Sequence, residues 1–431
     1  MTEVAVIEAV RSGDADAVRR LLEAGADPES ADASGVPALC LAIAAFDEPV
    51  AAALSEGGAD PLRPLPDGST PLLRAVDCGT VSVVLAVLPG LGEGLDDTVR
   101  AELLARARHW YEAGAVTELR RRTGDPGPPG RIRVRDGDWW TDYDEITLGG
   151  LTVRDGHAAV LSNLEQWFGH RQSIEELLAR ALAHPDPEHA DWSEAVDVLA
   201  GRHDEETWAA AAGLRSHPEP LHRLFAADVL RGIVLREAAT ETRPVVFEPR
   251  APEIFLPWAV DETDPAVLRL VLRALSESDS PDPRVEAVGL THVTHPDAEV
   301  RREASSGLPR PEGSYSPAAL RALFVLTRDA DSDVRAHACA LLAGHQGHTQ
   351  DIADVLAERL GDEDRLVRIC AVHGLAERDD PRCLEGNEHE GPVDPRSWPV
   401  NHIVEAGRRH RWRTGSPGRS DGPQTASSAR P

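Results

Sequence analysis

The sequence contains no lysine and few aromatic residues, and its charge is strongly one-sided. Its 45 basic residues are all arginines, 73 residues are acidic, and the formal net charge is −28. A surface of this charge repels phosphate backbones, which argues against general nucleic-acid binding and favours a protein partner of basic character. Aromatic residues make up 4% of the chain, while Ala and Leu dominate its apolar content. This composition suits closely packed short helices.

Cysteine is also scarce, and the five that occur do not form the pairs of a disulfide framework or a metal site. Their number is odd and none belongs to a Cys-x-x-Cys pair, which is typical of reduced thiols in a cytosolic protein. No apolar run approaches the length of a membrane span, and Glu3 stands where a signal peptide carries positive charge. We therefore expect a cytoplasmic monomer without a membrane span.

The motifs of common enzyme chemistry are missing as well. The chain has no phosphate-binding loop, no Gly-x-Ser-x-Gly and no zinc-binding helix motif. The closest histidine pairs, at residues 292/295 and 345/348, have no nearby cysteine or carboxylate set that would complete a ligand pattern. The acidic residues at 136–145 fail the EF-hand spacing because Trp140 stands where a third oxygen ligand belongs. We therefore expect no metal, no cofactor and no catalytic residue.

What the sequence does have is a repeat over residues 1–98. The tetrapeptide Gly-Ala-Asp-Pro at residues 25–28 returns at residues 58–61, a step of 33. Apolar residues share columns at the same step, as Ile7, Cys40 and Leu73 do, so Cys40 is interpreted as a small buried hydrophobe. Helical spacing of the apolar positions, broken by this tetrapeptide, predicts two short helices and a turn in each unit. A fixed period of this size is typical of solenoids.

Residues 67–75 carry the clearest resemblance to a known family in this part of the chain. Their sequence, Asp-Gly-Ser-Thr-Pro-Leu-Leu-Arg-Ala, resembles the ankyrin-repeat signature, with Leu73 standing where that family usually has His. The resemblance implies recognition of proteins through hairpin tips and inner helices. The candidate contacts at the tips are Asp32, Ser34, Arg63 and Leu65. A second interpretation stays open, in which these short units only cap the repeats that follow.

Residues 99–190 interrupt the repeats. A helical, arginine-rich stretch ends at the Gly- and Pro-rich residues 124–130, and residues 131–152 then alternate as strands do, which predicts a small β-hairpin insert. Trp139, Trp140 and Tyr143 in this insert form either a contact patch for a partner or a plug at the junction between two arrays. Helices resume after the insert, and residues 184–189 form a helix-breaking link before the next array.

A second repeat occupies residues 190–385. Its aspartates recur at steps of 33, 34 and 33, and an arginine follows four residues after each of the last three: Asp264, Asp297, Asp331 and Asp364, with Arg301, Arg335 and Arg368. We expect each Asp at the start of a second helix, where it caps amides and complements the helix dipole. We expect each Arg to reach the Asp of a neighbouring unit, which would form a ladder between repeats.

This second pattern resembles HEAT repeats, in the short bacterial form known as phycobilin-lyase-type repeats. The resemblance is specific for the architecture, and no feature specific to a bilin site accompanies it. The tail, residues 386–431, joins an arginine-rich stretch at 408–413 to a Ser-, Gly- and Pro-rich end whose composition is typical of disorder. The arginine-rich stretch is the one hint of a role with nucleic acid.

Together these patterns predict an all-α double α-solenoid, with an ankyrin-like array, a small β-hairpin insert at the junction and a HEAT-like array. The primary hypothesis for its function is a non-enzymatic scaffold that binds a protein partner through the ankyrin tips and the concave face of the HEAT array. The alternative is a HEAT-lyase-like enzyme or enzyme subunit, with a small-molecule site at the junction near Trp139 and Trp140.

Overall fold

The computed structural model describes residues 2–88, 94–136, 141–239, 244–277, 282–309, 314–345 and 350–384. The Cα positions divide the chain after Ile233 into two compact units, named unit 1 and unit 2. The division falls within one long helix, Pro220–Ala238. Among the described residues, no helix has both the length and the apolar character needed to cross a membrane.

Unit 1 begins with six short helices in consecutive pairs: α1 Thr2–Ser12, α2 Ala15–Glu23, α3 Ala38–Ala44, α4 Glu48–Glu56, α5 Pro71–Cys78 and α6 Val81–Val87. The turns after α2 and α4 are equivalent. Gly25 and Gly58 adopt φ angles of 88° and 97°, the left-handed region that glycine tolerates best. The amides of Ala26 and Ala59 both donate to a carbonyl five residues earlier, at 3.0 Å. The sequence repeat is therefore also a repeat of structure.

A three-stranded antiparallel sheet lies in the middle of unit 1, with the order β1-β2-β3: Gly130–Asp136, Thr141–Leu148 and Leu151–Arg154. The predicted hairpin thus has one further strand. Two helices precede the sheet, α7 Asp97–Ala113 and α8 Ala115–Thr123. Ile146, Leu148 and Val153 of the sheet form an apolar cluster with Trp110 of α7 and Leu119 of α8. The sheet is therefore anchored to the helical array by its own buried face.

Five helices follow the sheet: α9 His157–Trp167, α10 Ile174–Ala181, α11 Ala190–Arg202, α12 Glu205–Leu214 and α13 Pro220–Ala238. Val160 and Leu164 of α9 share one apolar core with Val83 of α6. Gly79 permits a close approach at this point, since a Cβ atom there would lie 1.9 Å from the carbonyl oxygen of Arg154. The early helix pairs, the sheet and α9 therefore form one packed body.

The described part of unit 2 contains four helix pairs: α14 Ala251–Asp261 with α15 Pro265–Ser276, α16 Pro283–His292 with α17 Ala298–Ser306, α18 Pro317–Leu326 with α19 Ser332–Gly344, and α20 Gln350–Glu358 with α21 Arg365–Glu377. The second helices of consecutive pairs lie against one another. Leu323, Val334, Leu342, Ile352 and Val367 belong to the core that joins the last two pairs. The predicted helical repeat fold, with a small sheet in the middle of the chain, is confirmed.

Candidate functional site

The two hairpin tips predicted as partner contacts have backbone turns of the same conformation. The amides of Asp32 and Leu65 each donate to the carbonyl four residues later, at 2.9 and 2.8 Å. Gly35 and Gly68 close these turns with φ angles of 80° and 81°. Ser34 is exposed at the first tip. The tips therefore recur with the period of the sequence, while the ankyrin assignment stays a prediction.

The side chains at the tips have different environments. Arg11 donates to Asp32 at 2.8 Å, and Arg63 pairs with Glu29, so each pair joins neighbouring repeats. Such exposed ion pairs contribute little stability but restrict the positions of the charges. Leu65 is only 6% exposed. Little of its apolar side chain is therefore accessible, and its contact with a partner stays a prediction.

The aromatic residues predicted at the junction do not form one exposed patch. Trp139 and Trp140 lie outside the described residues. Tyr143 is 1% exposed, its hydroxyl oxygen accepts from the amide of Val81 at 3.4 Å, and the guanidinium of Arg154 lies 5.6 Å from its ring centroid. Burial raises the pKa of Tyr143. Tyr143 belongs to the buried apolar core of unit 1, which favours the plug over the contact patch, and its contact with a partner stays a prediction.

The four predicted aspartates of unit 2 each stand at the N-cap of a second helix. Their carboxylates accept hydrogen bonds from amides of the first helical turn at 2.8–3.2 Å: Asp264 before α15, Asp297 before α17, Asp331 before α19 and Asp364 before α21. These bonds satisfy amides that have no partner within the helix. Each described repeat of unit 2 therefore has an aspartate at the N-cap of its second helix.

The arginine ladder has acidic partners other than those predicted. Arg301 donates to Asp329 at 2.8 and 2.6 Å, and Arg335 donates to Asp362 at 3.0 and 2.8 Å. Both aspartates lie two positions before the N-cap aspartate of the next repeat. The N-cap carboxylate accepts amides of its own helix, which leaves the earlier aspartate to accept the guanidinium. These bidentate, charge-assisted pairs join consecutive repeats.

Each ladder arginine also holds the turn that precedes its own helix. Arg301 and Arg335 donate through Nη1 to carbonyls five and six residues earlier, at 2.8–3.2 Å. Arg368 makes the same contact, donating to the carbonyls of Asp362 and Glu363 at 2.9 and 3.0 Å. Each of these arginines therefore holds the turn before its own helix. Arg301 and Arg335 also link that turn to the turn of the next repeat.

The turns joined by this ladder form an acidic edge of unit 2, named here the turn edge: residues 297–299, 329–333 and 362–366. Its exposed side chains include those of Asp333, Glu363, Arg365 and Leu366, and that of Glu363 is 91% exposed. The turn edge therefore presents mainly acidic side chains, with Arg365 as an exposed cation, around one accessible apolar group.

Unit 1 contains a cluster of titratable side chains beside the sheet, named here the His–Asp cluster. Asp155 follows β3, His184 follows α10, His189 is the N-cap of α11 and Asp191 lies in its first turn. One possible ligand atom from each of Asp155, His184 and His189 lies within 4.8 Å of the others. Asp155, His189 and Asp191 are buried, whereas the side chain of His184 is 32% exposed.

Hydrogen bonds determine where the protons of the cluster lie. His184 stands between two carboxylates, with Nδ1 2.7 Å from Asp191 and Nε2 3.2 Å from Asp155. Carboxylates only accept, so both ring nitrogens are protonated. Burial lowers the pKa of His184, but the two carboxylates outweigh it and raise the pKa to about 10. Nδ1 of His189 accepts from the amide of Asp191 at 3.1 Å, which leaves the proton on Nε2, 3.1 Å from Asp155.

The cluster borders a cavity of about 300 Å³, whose wall also includes Trp110, Tyr111, Ile146 and His157. The rings of Trp110 and His157 are stacked, with centroids 4.5 Å apart. Burial lowers the pKa of His157, so this imidazole is neutral at neutral pH. The cavity therefore combines apolar and aromatic walls with the charged cluster.

Asp77, a second buried carboxylate near Trp110, accepts hydrogen bonds from several side chains. Asp77 accepts from Trp110 Nε1, from Arg106 at 2.6 and 2.8 Å, and from Arg122 at 2.8 and 2.9 Å. Burial raises the pKa of Asp77, but the two guanidinium groups outweigh it and hold the pKa below its usual value. Asp77 thus connects the end of α5 to α7 and α8.

Sequence reasoning missed the His–Asp cluster because its members come from separate elements without a metal-binding spacing. The one available signal was the pair of histidines that bounds the link at residues 184–189. Of the pairs singled out instead, His292 has its Nε2 3.0 Å from the carbonyl oxygen of Ala259, and residue 348 lies outside the described part of the chain.

Comparisons with known proteins support the repeat assignment in unit 2. Residues 320–385 match a family model described as HEAT repeats. No curated protein gives a significant match. The lyase type, like the ankyrin assignment, stays a prediction.

Several solved structures match the chain at low identity. The X-ray structure of YibA from E. coli is 20% identical, with a TM-score of 0.44, and the match covers 56% of this chain and 83% of that chain. An engineered protein is 18% identical over 57% of this chain and 98% of its own, with a TM-score of 0.29. A triple mutant of Kap121p is 13% identical over 96% of this chain and 46% of its own, with a TM-score of 0.36.

Proposed function

We propose that this protein is a repeat scaffold that binds a protein partner, and that the turn edge of unit 2 is its main contact surface. The observation that carries the proposal is the ladder of Arg301 and Arg335, which fixes consecutive acidic turns relative to one another. A surface held in this way loses little conformational entropy on binding. The match of residues 320–385 to HEAT repeats supports the same function.

The charge of the turn edge defines the partner. Glu363 and Asp333 are exposed together with one cation, Arg365, and Leu366 provides an accessible apolar side chain on the same edge. A segment with basic residues on both sides of an apolar one would complement this edge, because opposite charge steers association and the apolar contact is desolvated. The hairpin tips of unit 1, with Ser34 and the ion-paired Asp32 and Arg63, provide a second contact surface in the proposal.

Two single substitutions of apolar residues test the proposed surface. Leu366→Arg places a positive charge on the turn edge, whereas Val325→Arg changes a side chain of α18 that is 66% exposed. Tagged full-length protein and both variants are used to recover partners from a nuclease-treated native lysate, after circular dichroism shows equal helicity. We expect the wild type and Val325→Arg to retain one basic protein near equal stoichiometry and Leu366→Arg to lose it. Equal retention by all three, or loss only with Val325→Arg, would remove the turn edge as the contact surface.

A further inference from the structure

We propose that the His–Asp cluster of unit 1 binds a divalent transition-metal ion of the zinc class, with Asp155, His184 and His189 as ligands. The inference goes beyond the scaffold function, since it concerns a buried site in unit 1 and not the turn edge of unit 2. It rests on the convergence of three donor groups, on the hydrogen bonds that orient them and on the adjoining cavity.

The ligand atoms already lie at distances that suit one ion. The Nε2 atoms of His184 and His189 are 3.2 and 3.1 Å from the oxygens of Asp155, and one ligand atom from each residue lies within 4.8 Å of the others. Ligands around a tetrahedral zinc ion with bonds of about 2.0–2.1 Å are separated by about 3.3 Å. The rings of His184 and His189 are stacked, with centroids 4.0 Å apart, so both imidazoles must rotate before their Nε2 lone pairs meet at one ion.

The donor set selects the class of metal. Two imidazole nitrogens and one carboxylate oxygen suit Zn²⁺, and the related ions Co²⁺ and Ni²⁺ accept the same donors. Mg²⁺ and Ca²⁺ prefer oxygen ligands throughout, which two histidines do not supply. The site is therefore expected to discriminate strongly against both of these ions.

Groups around the ligands hold them in orientation, as outer hydrogen bonds do in metal sites. Asp191 accepts from Nδ1 of His184 at 2.7 Å, and its other oxygen accepts from the amide of Ala159 at 2.8 Å. The amide of Asp144 donates to Asp155 at 2.9 Å. The first of these contacts is the carboxylate–histidine pair that orients an imidazole toward a metal.

Metal binding must displace protons in a defined way. Nε2 of His184 gives up its proton to solvent, and the ion takes the place of that proton beside Asp155. Nε2 of His189 also loses its proton, and Nδ1 of the same ring gains one. Asp191 Oδ2 lies 3.9 Å from Nδ1 and can accept a hydrogen bond from this N–H after a small rotation of the ring. The present bond from the amide of Asp191 to Nδ1 is then lost. Binding therefore releases one proton for each ion.

The cavity gives the bound ion access to a further ligand. Asp155 and His184 lie on its wall beside Trp110 and His157. Three protein ligands leave a coordination position that a water molecule or a small ligand can take, as in open zinc sites. Asp191 lines the same cavity, whereas His189 is fully buried.

The test uses full-length, untagged protein that has been stripped with a chelator and then titrated with Co²⁺ and Zn²⁺ near neutral pH. We expect one equivalent of Co²⁺ to bind with the visible absorption of a four- or five-coordinate ion, and Zn²⁺ to displace it. Calorimetry in buffers of different ionisation enthalpy should show release of one proton. Asp155→Asn should abolish the Co²⁺ spectrum, and Asp191→Asn should weaken Zn²⁺ binding about 10–100-fold.

A matched control removes two other histidines, in the double variant His292→Gln and His295→Gln, which should bind as the wild type does. X-ray absorption of the zinc-loaded wild type gives a result even if Asp155→Asn does not fold, and we expect two imidazoles with oxygen ligands. The proposal is overturned if folded wild-type protein binds neither ion saturably. It is also overturned if Asp155→Asn folds and binds unchanged, if the control variant loses the signal, or if the zinc shell contains sulfur or only oxygen.

Discussion

The two units use ion pairs in different ways. In unit 1 several cations converge on a few buried carboxylates, as Arg106 and Arg122 do on Asp77. In unit 2 the pairs are distributed, so that Arg301 and Arg335 each join one turn to the next. Convergent charge creates a rigid, enclosed centre that can hold a ligand, whereas distributed charge creates a long surface of fixed shape.

The difference follows from what each unit joins. In unit 2 every repeat contacts another of the same kind, so one arginine contact serves at successive junctions. In unit 1 the short helix pairs pack against a sheet and then against helices of other lengths. The buried polar groups where these elements join cannot use the contacts of a regular repeat, so each needs its own hydrogen-bond partners. The His–Asp cluster and the contacts of Asp77 satisfy these groups. A buried site is therefore expected in unit 1 and an extended surface in unit 2.

The largest loss of stability is expected from Asp77→Asn in unit 1. The substitution keeps the size of the side chain but leaves Arg106 and Arg122 without their shared carboxylate, and breaking such a buried pair costs about 3 kcal/mol. Urea unfolding followed by circular dichroism should show the lost stability. A change below about 0.5 kcal/mol would mean that the convergent charges do not stabilise unit 1.

A smaller effect is expected from Arg335→Ala in unit 2. Arg335 is 6% exposed and donates to both oxygens of Asp362. Loss of these charge-assisted bonds should lower the free energy of unfolding by about 2 kcal/mol, because Asp362 loses its bidentate partner and keeps Arg359 at the longer distance of 3.7 Å. Arg321→Ala is the matched control, since Arg321 is exposed on α18 and its loss should change stability by less than about 0.5 kcal/mol. An unchanged melting temperature in Arg335→Ala would contradict the structural role of the ladder.

Buried thiols report which unit each substitution loosens. Burial raises the pKa of Cys78 in unit 1 and of Cys339 in unit 2 to about 12. Neither thiol should react with an alkylating reagent until its surroundings open. Cys78 should react faster in Asp77→Asn and Cys339 faster in Arg335→Ala, roughly tenfold for every 1.4 kcal/mol of local stability lost. Mass spectrometry of the labelled peptides measures both rates, and equal acceleration of both thiols in either variant would remove the proposed separation.

The smallest effect is expected from deletion of residues 414–431. This end is rich in Ser, Gly and Pro and has too few apolar side chains to contribute to a core. Helicity and the unfolding midpoint should equal those of the full chain. A large loss of helicity would show that the end contributes to one of the units.

The sequence predicted the periodic parts of the molecule better than the unique ones. The N-cap role of Asp331 follows from its position before a helical pattern, and a local rule is sufficient for it. Arg335 pairs with Asp362 because the carboxylate of Asp364 already accepts amides of its own helix. The spacing of these residues in the sequence does not reveal which carboxylate is available. The burial of Tyr143 and Leu65 depends on side chains distant in sequence. The His–Asp cluster depends on residues from three separate places, which are the end of β3, the end of α10 and the start of α11.

Hydrogen–deuterium exchange of the full-length protein with and without the recovered partner locates the surface that the partner covers. We expect the partner to slow exchange at residues 329–333 and 362–366 of the turn edge and to leave exchange in α18 unchanged. Protection confined to α18 and the other first helices, with none at the turn edge, would show that the turn edge is not the contact surface.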